Sequence, residues 1–368
     1  MSHRSWVTLC WAFVIAVSIL ILSPVVFHAA PQAMSGYRVI RNIPLGAEGG
    51  WDYITVDPEN KRIYAPRTED IQVVDEVSGK IVGDITGMKG VHGIAVAPEF
   101  NRGFVTGNDG PEAEIYLVDL KAMKVTDKIA LPGAKGSDSL MYDAFSKRAF
   151  INTAASNNAQ AVDAATGKLV GSVTLPGRPE AAVPDGKGSM FVNIVDKDMM
   201  AEYDVQKLTV KNTYPNSPCI RGVGLAMDTE HRRLFIGCQN TGFSGILEVM
   251  NADNGKVVGV MPIGVGVDGV AFDPGTGDVF ATCRDDGNGA SGATWVFHED
   301  TPDKYSKVAQ VQTIYGARTV AIDTKTHHVF SEATEKNNPP PNVTATADNP
   351  HPRLLPVANT FAIVEIGK

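Results

Sequence analysis

The sequence predicts an all-β fold: a seven-bladed β-propeller of four-stranded antiparallel blades, with the last blade closed by an N-terminal strand. Three observations predict it. A short strand pattern recurs seven times between Trp51 and Lys368, with a period of about 44 residues. Each copy consists of brief apolar runs bounded by Gly, Pro, Asp and Asn. The last copy stops one strand early, and a matching strand stands at residues 37–43. Periods of ~40–45 residues built from short strands mark propeller blades rather than helical repeats.

The third strand of each copy shows the period best. Residues 74–85 (VDEVSGKIVGDI), 162–173 (VDAATGKLVGSV) and 250–261 (MNADNGKVVGVM) place Asp75, Asp163 and Asn251 at 88-residue intervals, with Asp119 and Asp204 between them. The turns Ser78-Gly79-Lys80, Thr166-Gly167-Lys168 and Asn254-Gly255-Lys256 use Gly for a positive φ and Lys to stay solvated. Inner strands such as YITV (53–56), IAVA (94–97) and VAF (270–272) show little polar alternation, so burial on both faces is expected. They end at Asp57, Ala97, Asp143, Asp185, Asp228, Asp273 and Asp323. An Asp there starts an Asx-type turn, so these residues are read as architecture and not as metal ligands. The last copy supplies strands at 318–322, 327–332 and 361–366. Residues 37–45 (YRVIRNIPL) resemble a fourth strand such as 125–132, and their pairing removes an open sheet edge. The Pro- and Asn-rich stretch 337–352 reads as loop.

The 368 residues are 43% hydrophobic and 20% charged, and the unbroken repeat points to a single propeller domain over 34–368. Residues 1–33 differ: His3 and Arg4 precede an apolar run from Trp6 to Phe27. That run is a signal peptide or, if uncleaved, an N-terminal membrane anchor, and either sends the propeller to the periplasm or outside the cell. The formal net charge is −8, or −9 once Arg4 goes with the leader. An acidic domain disfavours nucleic acid, and a membrane is a partner only through an uncleaved leader. Cys219, Cys238 and Cys283 remain. Cys238 and Cys283 occupy equivalent positions on adjacent blades, roughly 10 Å apart and beyond bridging distance. A Cys219–Cys238 bridge stays open, but the odd count argues against a disulfide framework, and all three are read as small buried hydrophobes.

GIAVAPEFNRGFVTGND (93–109) and IYLVDLKAMKVTDKIALPG (115–133) resemble the YVTN-repeat propellers, among them the YncE-like exported bacterial proteins. Phe104-Val105-Thr106-Gly107-Asn108 stands where that family carries its name tetrapeptide. Ile63-Tyr64-Ala65-Pro66 and Phe150-Ile151-Asn152-Thr153 keep less of it. The resemblance covers 37–368 and implies the fold. Its members include binding proteins, surface-layer parts, lactonase-like enzymes and redox-enzyme subunits, so it leaves activity open.

Strand order puts the loops before each inner strand and between strands two and three on one face, called the top. The loops there are long and varied: 106–114, 237–245, 281–293 and 331–360. Five residues before each inner-strand end lies the channel mouth, which reads Asp52, His92, Asp138, Glu180, Val223, Asp268 and Arg318. Six of the seven are ionisable, where 20% charged residues would place one or two. Asp52, His92, Asp138, Glu180 and Asp268 are candidate ligands for a divalent cation. Crowded carboxylates also raise one another's pKa, as acid–base catalysis requires, and Arg318 can hold a substrate carboxylate or phosphate. Trp51 and Tyr53 flank Asp52, with Trp51 read mainly as core; Arg284 can reach the mouth; His351 can fold over the top; His327-His328 reads as surface. No G-x-S-x-G, P-loop or C-x-x-C-H motif is present. The expected function is an extracytoplasmic binding or interaction protein, with a small molecule or protein at the top face. The alternative is a lactonase-like hydrolase using mouth carboxylates and His92, with or without a divalent cation.

Overall fold

The chain divides into Met1–Met34 and Ser35–Lys368. A computed structural model describes residues 36–46, 52–240, 244–334, 337–338, 341–344, 346 and 352–368. The leader, Trp51 and His351 lie outside the described residues. Among those described, no helix is long and apolar enough to cross a membrane.

Seven four-stranded antiparallel sheets succeed one another along the chain. Blades 1 to 6 cover residues 55–85, 94–130, 137–174, 179–215, 222–263 and 265–313. Blade 7 contains Val320–Asp323, His328–Thr334 and Phe361–Gly367, and its fourth strand is the N-terminal Arg38–Pro44. Ile43 pairs with Ile363 and Val39 with Ile366, so the closure expected from the sequence holds in register. Inner strands contact their neighbours in turn, and that of blade 7 meets that of blade 1. Within the loop 337–352, Asn337–Asn338 forms a short ladder with Leu355–Pro356.

The core lies between blades. Seven apolar clusters form, one at each junction. Each second strand contributes one buried aromatic at the same place: Tyr64, Phe104, Phe150, Phe191, Phe235, Phe280 and Phe330. Here the structure corrects an expectation in part. The second and third strands are the most consistently buried, as in Arg102–Gly107 and Glu114–Asp119. Inner strands vary: Gly222–Asp228 is buried throughout and Ile94–Ala97 at three of its four positions, as expected, whereas Ser137–Asp143 has several partly exposed positions. Fourth strands such as Thr209–Pro215 are largely exposed.

The recurring Asp residues do start turns. Asp57 accepts the N–H of Glu59 at 3.1 Å, Asp185 that of Lys187 at 2.8 Å, and Asp323 that of Lys325 at 2.7 Å. Blade 2, which has Ala97 instead, turns through the 3₁₀ segment Pro98–Phe100. These carboxylates also join blades. Lys61 of blade 1 reaches Asp323 of blade 7 at 2.8 Å, and Arg232 of blade 5 reaches Asp185 of blade 4 at 3.3 Å. His327 of blade 7 lies 2.8 Å from Asp273 of blade 6, and His328 lies 2.7 Å from Glu365. The two histidines are therefore partly exposed side chains, each in contact with a buried carboxylate.

Cys219 and Cys238 form a disulfide, which corrects the reading of all three cysteines as free. Both belong to blade 5. Cys219 lies in the loop before its inner strand, and Cys238 ends its second strand, so the bridge runs within one blade. Cys283 is free and buried.

Candidate functional site

Local backbone irregularity aims the mouth residues into the channel. In blades 3, 4, 5 and 6 the pairing register slips between Ser137 and Leu140, Pro179 and Ala182, Gly222 and Gly224, and Val267 and Gly269. Asp138, Glu180, Val223 and Asp268 sit inside these slips. A bulge re-aims a side chain away from the regular pleat, which explains why the mouth positions stand apart from the apolar pattern around them. The Thr106-Gly107-Asn108 segment secures the neighbouring residues. Thr106 Oγ accepts the N–H of His92 at 2.8 Å and of Gly93 at 3.2 Å. Asn108 accepts the N–H of Ser137 at 2.9 Å and donates to its carbonyl at 2.9 Å, holding the approach to Asp138.

The mouth residues sort into three groups. His92 Nδ1 lies 2.7 Å from Asp52 and 3.5 Å from Asp138, and the three offer ligand atoms within 4.8 Å of one another. Glu180 stands apart, accepting the hydroxyl of Tyr53 at 3.1 Å. Tyr53 belongs to blade 1 and Glu180 to blade 4, so that side chain spans the channel. Asp268 pairs with Arg318 at 3.2 Å. Val223 is buried and takes no polar part. A cleft of about 280 Å³ opens beside the first group, lined by His92, Asn108, Ser137, Asp138, Ala155 and Arg178 among others. Below it a channel cavity of about 120 Å³ runs past Tyr53, Ser139, Leu225 and Asp268.

Burial and charge crowding set the protonation states. The hydrogen bond to Asp52 raises the His92 imidazole above its ordinary range, and Asp138 and Glu180 add to that. Burial and then Asp52 raise Asp138. Glu180 is pushed up to about 7 by burial, Asp138 and Asp268. Asp268 is pushed up to about 6, mainly by burial, although Arg318 opposes the rise. The mouth therefore combines an imidazole whose protonated form is favoured by Asp52 with two carboxyls, Glu180 and Asp268, that titrate close to neutral pH, groups suited to exchanging protons with a bound molecule.

Several site residues escaped the sequence reading. Glu332, on the second strand of blade 7, is fully buried, and neither carboxylate oxygen has a hydrogen-bond partner. Burial and the charge of Asp52 push its carboxyl well above the carboxylate range, which favours the protonated form behind the mouth. Arg353, from the Pro-rich loop, lies close enough to Arg318, Arg284 and Asp268 to feel their charges, and burial followed by the two guanidiniums lowers its pKa. The N–H of Leu354 bonds to the Tyr315 hydroxyl at 3.1 Å, holding this end of the loop to blade 7's approach. Arg178 was missed because it lies two residues before Glu180, outside the aligned position. Glu332 carried one available signal: four of its six counterparts, Thr106, Asn152, Asn193 and Thr282, are buried polar residues, the other two being Pro66 and Gly237.

Two chemistries fit. Asp52, His92 and Asp138 form a mixed oxygen and nitrogen set of the kind that holds a divalent cation. Glu180 and Asp268, also candidate ligands by sequence, are engaged by Tyr53 and Arg318 instead. The Asp52–His92 pair can also work without a metal as a proton donor. The serines nearest the site are tied to backbone, Ser137 to the Gly107 carbonyl and Ser139 to that of Glu180, so neither is poised as a nucleophile.

No family model matches the sequence, and neither does any curated protein. Solved structures share the fold. A structure described as Kuenenia stuttgartiensis hydrazine synthase superposes with a TM-score of 0.64 at 15% identity, covering 77% of this chain and 92% of that one. U3-55K gives 0.67 at 9% identity, covering 91% and 99%. The RRP9 WD40 repeats give 0.66 at 8% identity, covering 90% and 97%. At such identities the likeness establishes the fold alone: the chain is an all-β, seven-bladed propeller.

Proposed function

We propose that this chain is an extracytoplasmic propeller of the YVTN-repeat, YncE-like type, which binds a small polar molecule in the top-face cleft. The observation that carries the reading is the convergence of Asp52, His92 and Asp138 beside a cleft whose lining also includes Arg178. Charges of both signs line a concave space, which suits a ligand with an anionic group for Arg178 and a donor for the carboxylates. The apolar leader supports export. The Cys219–Cys238 disulfide supports it too, since such bonds persist in oxidising compartments. The test is a thermal-shift panel of small carboxylates, phosphates, amines and lactones, with calorimetry on each hit. A genuine ligand loses about tenfold or more in affinity in His92→Ala and in Arg178→Gln. Hits that bind the His92→Ala/Asp138→Asn protein unchanged refute the site.

The Asp52–His92 contact also favours a second reading, a hydrolase in which His92 donates or accepts a proton and water is the nucleophile. Turnover of lactones or esters that disappears in His92→Ala and persists in Arg318→Gln supports it. Absence of turnover across the panel, with and without added divalent cation, leaves the binding reading alone.

A further inference from the structure

The lower face carries a second charged cluster, and an internal comparison between blades shows what it lacks. At the junction of blades 7 and 1, two buried carboxylates meet: Asp323, which ends an inner strand, and Glu76, which follows a third strand. Lys61 neutralises them, its Nζ lying 2.8 Å from Asp323 and 3.9 Å from Glu76. Thr326, three residues after Asp323, lies 3.4 Å from Glu76.

The same frame recurs at the junction of blades 5 and 6. Asp228 takes the place of Asp323, and Glu299 that of Glu76. The backbone equivalence is direct: Glu76 N–H donates to the Lys61 carbonyl at 3.1 Å, and Glu299 N–H to the Gly277 carbonyl at 2.8 Å. The counterpart of the lysine is therefore Gly277. Both residues hold the left-handed conformation, with φ of 52° at Lys61 and 71° at Gly277. The counterpart of Thr326 is His231. This junction keeps both acids, loses the ammonium and gains an imidazole.

The three side chains point at one another. His231 Nδ1 lies 2.6 Å from Asp228 and 3.2 Å from Glu299, and all three offer ligand atoms within 4.8 Å. The Asp228 and Glu299 side chains are each 5% exposed, and neither oxygen of Glu299 has a hydrogen-bond partner. Arg233, whose charge reaches Glu299, directs its guanidinium to Asp303 and to backbone carbonyls. Two buried acids and one imidazole, with both Glu299 oxygens free of hydrogen bonds, offer a cation a set of converging ligands.

We propose that Asp228, His231 and Glu299 bind a divalent transition-metal ion of the Zn²⁺ class, which joins blade 5 to blade 6 as Lys61 joins blade 1 to blade 7. One imidazole and two carboxylates form a mixed set that Zn²⁺ accepts, whereas Ca²⁺ takes six to eight oxygens. The site is separate from the top-face cluster, so its test runs in the full chain carrying Asp52→Asn and His92→Ala. That protein, stripped with chelator, is titrated with Zn²⁺ by calorimetry and checked by elemental analysis. About one equivalent binds and raises Tm. His231→Ala weakens binding by about 100-fold. Gly277→Lys restores the ammonium of the sister junction and abolishes binding in a folded ring. Failure of the stripped parent to bind Zn²⁺ overturns the proposal, and so does binding that survives both His231→Ala and Gly277→Lys.

Discussion

Glu180 illustrates how a single residue at the mouth makes stability depend on pH. Its carboxyl is raised from 4.5 to about 7, chiefly by burial. A carboxyl whose folded value is raised holds its proton in the folded state after the unfolded chain has released it. Folding stability therefore falls as pH rises from about 4.5 to about 7. Glu180→Gln removes that slope. Relative to the parent, the variant gains on the order of 3 kcal/mol between pH 4 and pH 8, measured by urea denaturation at each pH. A parallel pair of profiles would show that Glu180 ionises freely. His92 works in the same sense, in a higher pH window. Its raised value makes the protonated ring's contribution to stability complete below its ordinary 6.5, and that contribution is lost as pH climbs through the folded value.

Two kinds of element hold the ring shut. The first is the N-terminal strand Arg38–Pro44, whose Ile43 and the following Leu45 enter the cluster between blades 7 and 1. Deleting residues 34–46 exposes the edge of Phe361–Gly367 and opens that cluster. The expected result is a Tm fall of about 10 °C or more in calorimetry, since a lost core contact set costs several kcal/mol. A truncated chain that melts with the parent would refute closure by that strand. The second is the lower-face latch. Burial raises Asp323, but Lys61 and the Lys325 N–H outweigh it and hold the carboxyl at about 2. Lys61→Met leaves that buried charge without its cation and costs about 2–4 kcal/mol at pH 7 in urea melts. A depressed carboxyl contributes above its unfolded value and loses the contribution as pH falls, so the deficit shrinks below about pH 4.

On the scale of the whole molecule, stability is shared among seven equivalent junctions, and the Cys219–Cys238 bond adds a covalent tie to one blade. The bridged residues are 19 apart. A loop of that size is worth about 3 kcal/mol through the unfolded chain. The Cys219→Ser/Cys238→Ser protein should melt several degrees lower than the parent, and reductant should lower only the parent. Equal melting of the two proteins without reductant would mean the bond does not form.

The repeat, the turn residues and the N-terminal strand were legible because they rest on local chemistry. Asp57 and Asp323 must start a turn wherever they stand, and Gly79 and Gly167 hold positive φ in chain-local geometry. The ring of ionisable residues at the mouth was legible for the same reason, since a fixed period gives each copy the same coordinate. Which of them meet was decided by tertiary structure. Asp52, His92 and Asp138 come together while Tyr53 crosses the channel to Glu180, because the inner strands of different blades converge on one axis, with register slips at Asp138 and Glu180. The disulfide, the buried acid of Glu332 and the contrast between Lys61 and Gly277 also depend on contacts across loops and blades. Local propensity determined the blade and its repetition; only packing between blades decided the partners of the mouth charges, because those partners lie tens to more than a hundred residues away along the chain.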